Sequence, residues 1–192
     1  MAKWTDKQAL AIWEKYNKGL AKNIDIDESL SRYDIDKMRE RLEKDPVEWI
    51  KYFFPSYAKY EFAPFHIKAI KRLIANDEWY EVLSWSRELA KSTVVMFVLM
   101  YLTLTKRKKF VALASATIDA AERLLTPYRI NFENNPRIQQ FYGKQPVFGQ
   151  WTDREFTCTC GAKFIAIGAG SAPRGMRNEA IRPYVIYMDD YD

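Results

Sequence analysis

Metal-ligating side chains are scarce in this sequence, which has two cysteines and one histidine among its 192 residues. A structural zinc site needs about four such ligands, and His66 lies far in sequence from Cys158 and Cys160. If the C-x-C segment forms a strand, both cysteines lie on one face, where a disulfide would be strained. We therefore expect two reduced thiols rather than a zinc site or a disulfide.

Long hydrophobic runs are also missing. No apolar stretch reaches the roughly 18 residues that a membrane-spanning helix needs, and residues 1–7 lack the apolar centre of a secretory signal. These two absences predict a soluble, intracellular protein with no membrane partner. The formal net charge of +5 permits a polyanionic partner, although many proteins with such a charge never bind nucleic acid.

The first 48 residues predict a helical N-terminal arm. Between residues 4 and 44, apolar side chains recur at helical spacing among many charges, as in Leu10, Ile12, Trp13 and Tyr16. Such an arm can pack on the main domain or contact a neighbouring subunit, and periodicity does not separate these alternatives. The remaining residues, 49–192, have the length of one principal domain.

Helix-like and strand-like segments alternate over residues 49–192. The apolar strand segments suit burial on both faces, so we expect an α/β fold of three layers with a mainly parallel sheet. Residues 134–162 are rich in Pro, Gly and Gln, which predicts loops or a hairpin inserted in the sheet. The predicted strands are 82–85, 110–115, 163–167 and 184–188, and the predicted helices are about 67–75, 91–105 and 117–132.

An octapeptide at positions 86–93 has the composition of a phosphate-binding P-loop. It lies between an apolar strand-like segment and an apolar helix-like segment, and it consists of Ser86, Arg87, Glu88, Leu89, Ala90, Lys91, Ser92 and Thr93. In a P-loop, the amides at a helix N-terminus and one ammonium group face a polyphosphate, and the next hydroxyl ligates magnesium. Lys91 and Ser92 fit these roles, which predicts a P-loop NTPase-type domain.

The octapeptide departs from the general pattern G-x-x-x-x-G-K-[ST] at both glycine positions. Trp85 and Ala90 stand where the glycines are expected. Ala90 fits without strain if its φ is negative, whereas a left-handed conformation would cost roughly 1–2 kcal/mol. The same residues also have a simpler interpretation as an ordinary helix start, so the P-loop hypothesis needs a second element.

The second element is an apolar strand that leads into two carboxylates. Residues 184–188 are followed directly by Asp189 and Asp190. A nucleotide-hydrolysing P-loop domain needs such a strand, because one carboxylate joins the magnesium shell and the next activates water. Alternatively, the strand simply ends in acidic residues that face solvent.

Four segments together resemble the large terminase subunit of tailed double-stranded-DNA bacteriophages, in the N-terminal ATPase portion. The octapeptide with Val94 and Val95 resembles the variant P-loop of that family, in which an arginine lies early in the loop. The segment Phe62–His66 resembles the adenine-side motif, and residues 112–117 resemble the strand and turn after the P-loop helix. Residues 168–188 resemble the glycine loop and acidic strand, including Arg174-Gly175 and Arg182-Pro183. The resemblance covers approximately residues 49–192.

This resemblance implies an ATPase that uses ATP and Mg²⁺. Lys91 would hold the phosphates, while Ser92 and Asp189 would ligate the metal. Asp190 would take the water-activating position. The nucleotide site would then comprise residues 86–93 together with Phe62, Pro64 and His66.

Two arginines and the histidine keep alternative roles. By resemblance, Arg87 would touch the γ-phosphate from within the subunit, and Arg174 would act on the nucleotide of a neighbouring subunit. Either arginine could instead form a structural ion pair, and the sequence does not decide which is the arginine finger. His66 could contact adenine or serve as a structural residue.

The partners implied by the resemblance are double-stranded DNA, a portal protein and a small terminase subunit, with the large subunit forming a ring at the procapsid in the host cytoplasm. The basic run at residues 106–109 could contact DNA phosphates or be a solvated loop. Family members continue with further sheet strands and a nuclease domain, so we expect 49–192 to be a truncated ATPase domain. The alternatives are a helicase-like P-loop ATPase and a non-catalytic fragment that serves assembly or DNA docking.

Overall fold

The computed structural model describes residues 22–58, 60–170 and 182–190, together with residues 11, 14–16, 18 and 19. The predicted helical positions Leu10, Ile12 and Trp13 lie outside the described residues, as does Arg174. The helices are α1 (Arg32–Leu42), α2 (Pro46–Phe53), α3 (Pro64–Ala75), α4 (Lys91–Leu104), α5 (Ile118–Asn134) and α6 (Pro136–Tyr142). The strands are β1 (Phe110–Ser115), β2 (Pro146–Trp151), β3 (Glu155–Cys158), β4 (Lys163–Gly168) and β5 (Val185–Met188).

Capping residues explain where the first helices begin. Ser31 accepts a hydrogen bond from the Asp34 amide, and its own hydroxyl and amide donate to the Asp34 carboxylate. The Asp45 carboxylate caps α2 by accepting from the amides of Val47 and Glu48, and a proline occupies the first turn of α2 and of α3, where its missing N–H costs nothing. These local signals, more than helix propensity, set the helix starts.

The N-terminal helices are continuous with the core. Trp49, Ile50 and Phe53 of α2 have no exposed surface, and the Trp49 indole donates a hydrogen bond to the hydroxyl of Tyr142. The Arg39 guanidinium of α1 donates to the carbonyl of Phe141 at 3.0 Å. Helix α2 therefore crosses position 48, at which the sequence suggested a boundary between the arm and the main domain. The sequence pattern predicted no helix at the position of α2.

The five strands form one mixed sheet in the order β2-β3-β4-β1-β5. Strand β1 runs parallel to both β4 and β5, whereas β3 is antiparallel to β2 and to β4. The α/β prediction and the hairpin within residues 134–162 are confirmed, but residues 136–142 form α6 where the sequence predicted loops. The prediction of a mainly parallel sheet is wrong for the described residues, because β2–β3 extends the sheet by two antiparallel strands.

The large helices pack on one face of the sheet. Register places Val111, Phe164 and Val185 side by side on this face, and the Phe164 ring contacts Tyr128 of α5 at 5.5 Å between centroids. The opposite face carries Ala112, Ala114, Ile165 and Ile167, which form a small separate cluster of sheet residues only. Within the described residues the architecture therefore has two layers, and the predicted third layer is not present there.

The predicted strand at 82–85 does not join the sheet. These residues have no strand structure, and the Val82 side chain is 70% exposed. The apolar composition that suggested a buried strand instead gives an extended segment that leads into the octapeptide. By contrast, the predicted strands at 110–115, 163–167 and 184–188 agree with β1, β4 and β5 to within one residue at each end.

Candidate functional site

The start of α4 and the end of β5 meet, and they bring three of the predicted site residues together. Lys91 is the first residue of α4, and its Nζ lies 2.9 Å from Oδ1 of Asp189. The Ser92 hydroxyl donates to the other oxygen, Oδ2, at 2.6 Å. An ammonium and a hydroxyl from the start of α4 thus meet a carboxylate about 97 residues further along the chain.

Tyr187 is a fourth member of this cluster. Its hydroxyl donates to Oδ2 of Asp189 at 2.7 Å and lies 3.3 Å from Oγ of Ser92. Side chains two positions apart in a strand point to the same face, so Tyr187 and Asp189 project together toward α4. Burial raises the pKa of the Tyr187 phenol well above its ordinary value, which keeps this group a donor.

The Asp189 side chain remains a carboxylate although it is largely buried. Burial raises its pKa, but hydrogen bonds from Ser92, Tyr187 and Lys91, together with the charge of Lys91, outweigh this and lower the pKa below the ordinary value of 3.8. The group is therefore available as an anionic oxygen ligand at neutral pH.

The loop before α4 exposes a row of backbone donors. Glu88 and Ala90 both have positive φ, at 68° and 56°, and within the described part of the chain the amides of residues 90–93 have no acceptor. Successive free amides at a helix start form a concave site for an anion, favoured by the helix dipole. The conformation of Ala90 is left-handed, so the cost of roughly 1–2 kcal/mol foreseen from the sequence applies.

His66 connects the aromatic turn to this loop. Its Nδ1 accepts a hydrogen bond from the Ala63 amide at 3.2 Å, and its Nε2 lies 3.0 Å from the carbonyl oxygen of Leu89. Since Nδ1 accepts and the carbonyl cannot donate, Nε2 must carry the proton. The imidazole also contacts the rings of Phe65 and Trp85, at centroid distances of 4.1 Å and 5.3 Å.

The other members of the predicted adenine side are arranged around this histidine. The ring of Phe62 lies 6.1 Å from the His66 ring, and Pro64 begins α3. Thus the structure brings the turn 62–66 next to the octapeptide. Both ring nitrogens of His66 are already used by backbone groups, which favours a structural role in this arrangement.

The side chains of Asp190 and Arg87 form no bond with the cluster. Asp190 is exposed and left-handed, with φ of 45°, and its carbonyl oxygen accepts from the Ala116 amide at 3.0 Å and from the Ser115 hydroxyl at 3.2 Å. These bonds attach the end of β5 to the end of β1. Arg87 is exposed and forms no ion pair within the described residues.

A groove of about 1150 Å³ opens beside the cluster. It runs between residues 77–83 on one side and residues 184–190 on the other, with Lys91, Asp189 and Asp190 in its lining. Its lining also includes apolar side chains of α4, such as Val95 and Leu99. A molecule bound at the cluster would therefore have space on the side of β5.

The oxygen ligands of the cluster suit a magnesium ion that takes its remaining ligands from phosphates and water. Among the described residues there is no group of three or more His, Cys, Asp or Glu side chains that could enclose a metal. Magnesium needs no such cage, because it is commonly held by one or two carboxylates plus substrate phosphates and water. Ser92 and Asp189 supply two hard oxygen ligands at one point, which fits this mode.

Two residues of the site were not identified from the sequence. Tyr187 could have been found from the alternation of β5, which puts it on the face of Asp189. Trp85 was noted only as a departure from the glycine pattern, whereas its ring lies 5.1 Å from that of Phe65. No local sequence signal joins Trp85 to Phe65, because their contact depends on the tertiary fold.

Among the residues that the structure describes, no helix has both the length and the apolar character needed to cross a bilayer.

Comparison of the sequence with protein-family models gives no match, and comparison with curated proteins gives none either.

Proposed function

We propose that this chain binds ATP with Mg²⁺ at the start of α4 and hydrolyses it. The observation that carries the proposal is the convergence of Lys91 and Ser92 on the Asp189 carboxylate, beside a row of free amides. A triphosphate is a polyanion that these amides and the ammonium can hold, and its metal is one that the hydroxyl and carboxylate can ligate. This combination distinguishes the site from an ordinary surface ion pair.

Binding requires the present contacts to exchange partners. Lys91 leaves Oδ1 of Asp189, 2.9 Å away, and turns its ammonium to the phosphate oxygens. The 2.6 Å hydrogen bond between Ser92 and Asp189 breaks, so that an oxygen of each residue would be free to ligate the metal. When bound, Mg²⁺ neutralises phosphate charge as it develops. Asp190, exposed at the end of β5, is the candidate for orienting the attacking water.

The finer proposal is that the chain is the motor portion of a DNA-packaging terminase. It rests on the resemblance of residues 49–192, with the order of octapeptide and acidic strand as its main support. Under this proposal the partners are double-stranded DNA, a portal protein, a small terminase subunit and further copies in a ring. Arg87 or Arg174 then supplies the arginine finger.

The test is nucleotide hydrolysis by matched lysine variants. Lys91→Ala should lower magnesium-dependent ATP hydrolysis by about 100-fold or more, because it removes the positive charge that faces the phosphates. The control is Lys37→Ala, since Lys37 is exposed on α1 and forms no ion pair within the described residues. Equal hydrolysis by Lys91→Ala and the unaltered protein would contradict the proposal, as would the absence of any magnesium-dependent ATP binding.

A further inference from the structure

One carboxylate oxygen in the cluster receives two hydroxyl groups. Oδ2 of Asp189 accepts from Ser92 at 2.6 Å and from Tyr187 at 2.7 Å, while Oδ1 faces the ammonium of Lys91 at 2.9 Å. The carboxylate plane is therefore held from three directions. Two of these groups, Lys91 and Ser92, must move when a phosphate and a metal bind.

Of the three groups that contact the Asp189 carboxylate, only the Tyr187 hydroxyl has no proposed role in binding the phosphates or the metal. It lies in the middle of β5, where its ring packs against the main core and its backbone pairs with Leu113. These contacts leave the ring in place when Lys91 and Ser92 change partners. The hydroxyl is only partly buried, but its bond to Asp189 is charge-assisted and therefore stronger than one between neutral groups, so it is retained in preference to being broken.

We propose that Tyr187 is a positioning residue, whose hydroxyl keeps the Asp189 carboxylate turned toward the metal position while Lys91 and Ser92 are released. The effect of Tyr187 on the Mg²⁺ requirement of ATP hydrolysis rests on the proposed function, whereas its effect on the orientation of the Asp189 carboxylate does not. By holding Oδ2, the phenol leaves Oδ1, which Lys91 vacates, as the oxygen that a divalent cation takes.

If the Tyr187 ring served only to pack the core, substitution of the residue would have a different result from the one expected for an orienting hydroxyl. Phenylalanine fills nearly the same space as tyrosine and keeps the ring contacts of β5, so it removes the hydroxyl and little else. If Tyr187 serves only to fill the core, Tyr187→Phe will leave the orientation of Asp189 and the metal requirement unaltered. If its hydroxyl orients the carboxylate, both will change.

The experiment compares Tyr187→Phe with Tyr33→Phe. Tyr33 lies on α1, away from the groove, is 73% exposed, and its hydroxyl has no hydrogen bond within the described residues. The first measurement is the Mg²⁺ concentration for half-maximal ATP hydrolysis. Partners that orient metal ligands typically contribute about 10–100-fold to metal affinity, so we expect an increase of about tenfold for Tyr187→Phe and none for Tyr33→Phe. The maximal rate at saturating Mg²⁺ should change less than about twofold, since no group that touches ATP is lost.

The second measurement compares nucleotide-free crystal structures of two variants in which the other two groups are removed: Lys91→Ala with Ser92→Ala, and the same pair combined with Tyr187→Phe. We expect the Asp189 carboxylate to keep its orientation in the first variant, where the Tyr187 hydroxyl still donates to Oδ2, and to rotate in the second. The same orientation of Asp189 in both variants would overturn the proposal, whether or not the unaltered protein hydrolyses ATP. In a protein that does hydrolyse ATP, an unaltered Mg²⁺ requirement would overturn it as well. Failure of the unaltered protein to bind MgATP would instead contradict the proposed function. The orientation of Asp189 in the crystal structures of the variants would still decide the role of Tyr187.

Discussion

The protonated Nε2 of His66 lies 3.0 Å from the carbonyl oxygen of Leu89, which joins the start of α3 to the loop before α4. Leu89 lies between two residues with positive φ, Glu88 and Ala90. The hydrogen bond therefore holds the loop in a conformation that its own residues do not prefer. This relationship gives His66 a function that does not require contact with a ligand.

Removing the imidazole should weaken nucleotide binding indirectly. His66→Ala deletes a hydrogen bond worth about 1 kcal/mol, so the dissociation constant for MgATP should rise about fivefold. His66→Gln keeps an amide donor that can reach the Leu89 carbonyl, and it should restore part of the affinity. Titration calorimetry measures both, with Lys68→Ala, an exposed substitution on the same helix, as the control. Unaltered affinity in His66→Ala would show that the loop keeps its conformation without this bond.

Glycine at position 90 should stabilise the protein. Ala90 has φ of 56° and ψ of 29°, a left-handed conformation that glycine adopts without the steric cost of a Cβ. We expect Ala90→Gly to raise the free energy of unfolding by about 1 kcal/mol, measured by urea denaturation. Ala120→Gly, in the first turn of α5, should instead lower it by about 0.5–1 kcal/mol. A loss of stability in both variants would contradict the left-handed assignment.

Cys160 should react with alkylating agents at unusually low pH. A hydrogen bond from the Cys158 thiol is the main cause that lowers the pKa of Cys160 from 9.0 to about 7, whereas burial raises the pKa of Cys158. Because the thiolate is the reactive form, the labelling rate should reach half its maximum near pH 7 and should decrease at lower pH.

Two variants check this assignment. Cys160→Ser should remove the fast labelling. Cys158→Ala should move the midpoint upward toward 9.0, since Cys160 then loses its donor. A midpoint already near 9.0 in the unaltered protein would contradict the described contact between the two thiols.

The sequence predicted those elements whose signals are local. Alternating apolar strands and long helices identified β1, β4, β5 and α4, and the motif order predicted that Lys91 and Asp189 would meet. The C-x-C spacing suggested that both cysteines lie in one strand, whereas β3 ends at Cys158 and Cys160 lies in the following turn. In that case the local pattern did not show where the strand ended.

Other features depended on tertiary contacts. The segment 82–85 and a buried strand have the same composition, and only pairing in the sheet distinguishes them. Helix α2 has a short, strongly aromatic sequence, and its helical form depends on the Asp45 cap and on burial of Trp49. The partners of Tyr187 and His66 are separated from them by loops whose course the sequence does not specify.

The most direct test of the account is the magnesium dependence of ATP binding, measured by titration calorimetry with Mg²⁺ and then with a chelator. If Lys91, Ser92 and Asp189 converge on one metal-bound triphosphate, the unaltered protein will bind ATP more tightly with Mg²⁺. Asp189→Asn, which removes the anionic ligand, will lose most of that difference. Equal affinity with and without Mg²⁺ in the unaltered protein, or the same magnesium dependence in Asp189→Asn, would contradict the account.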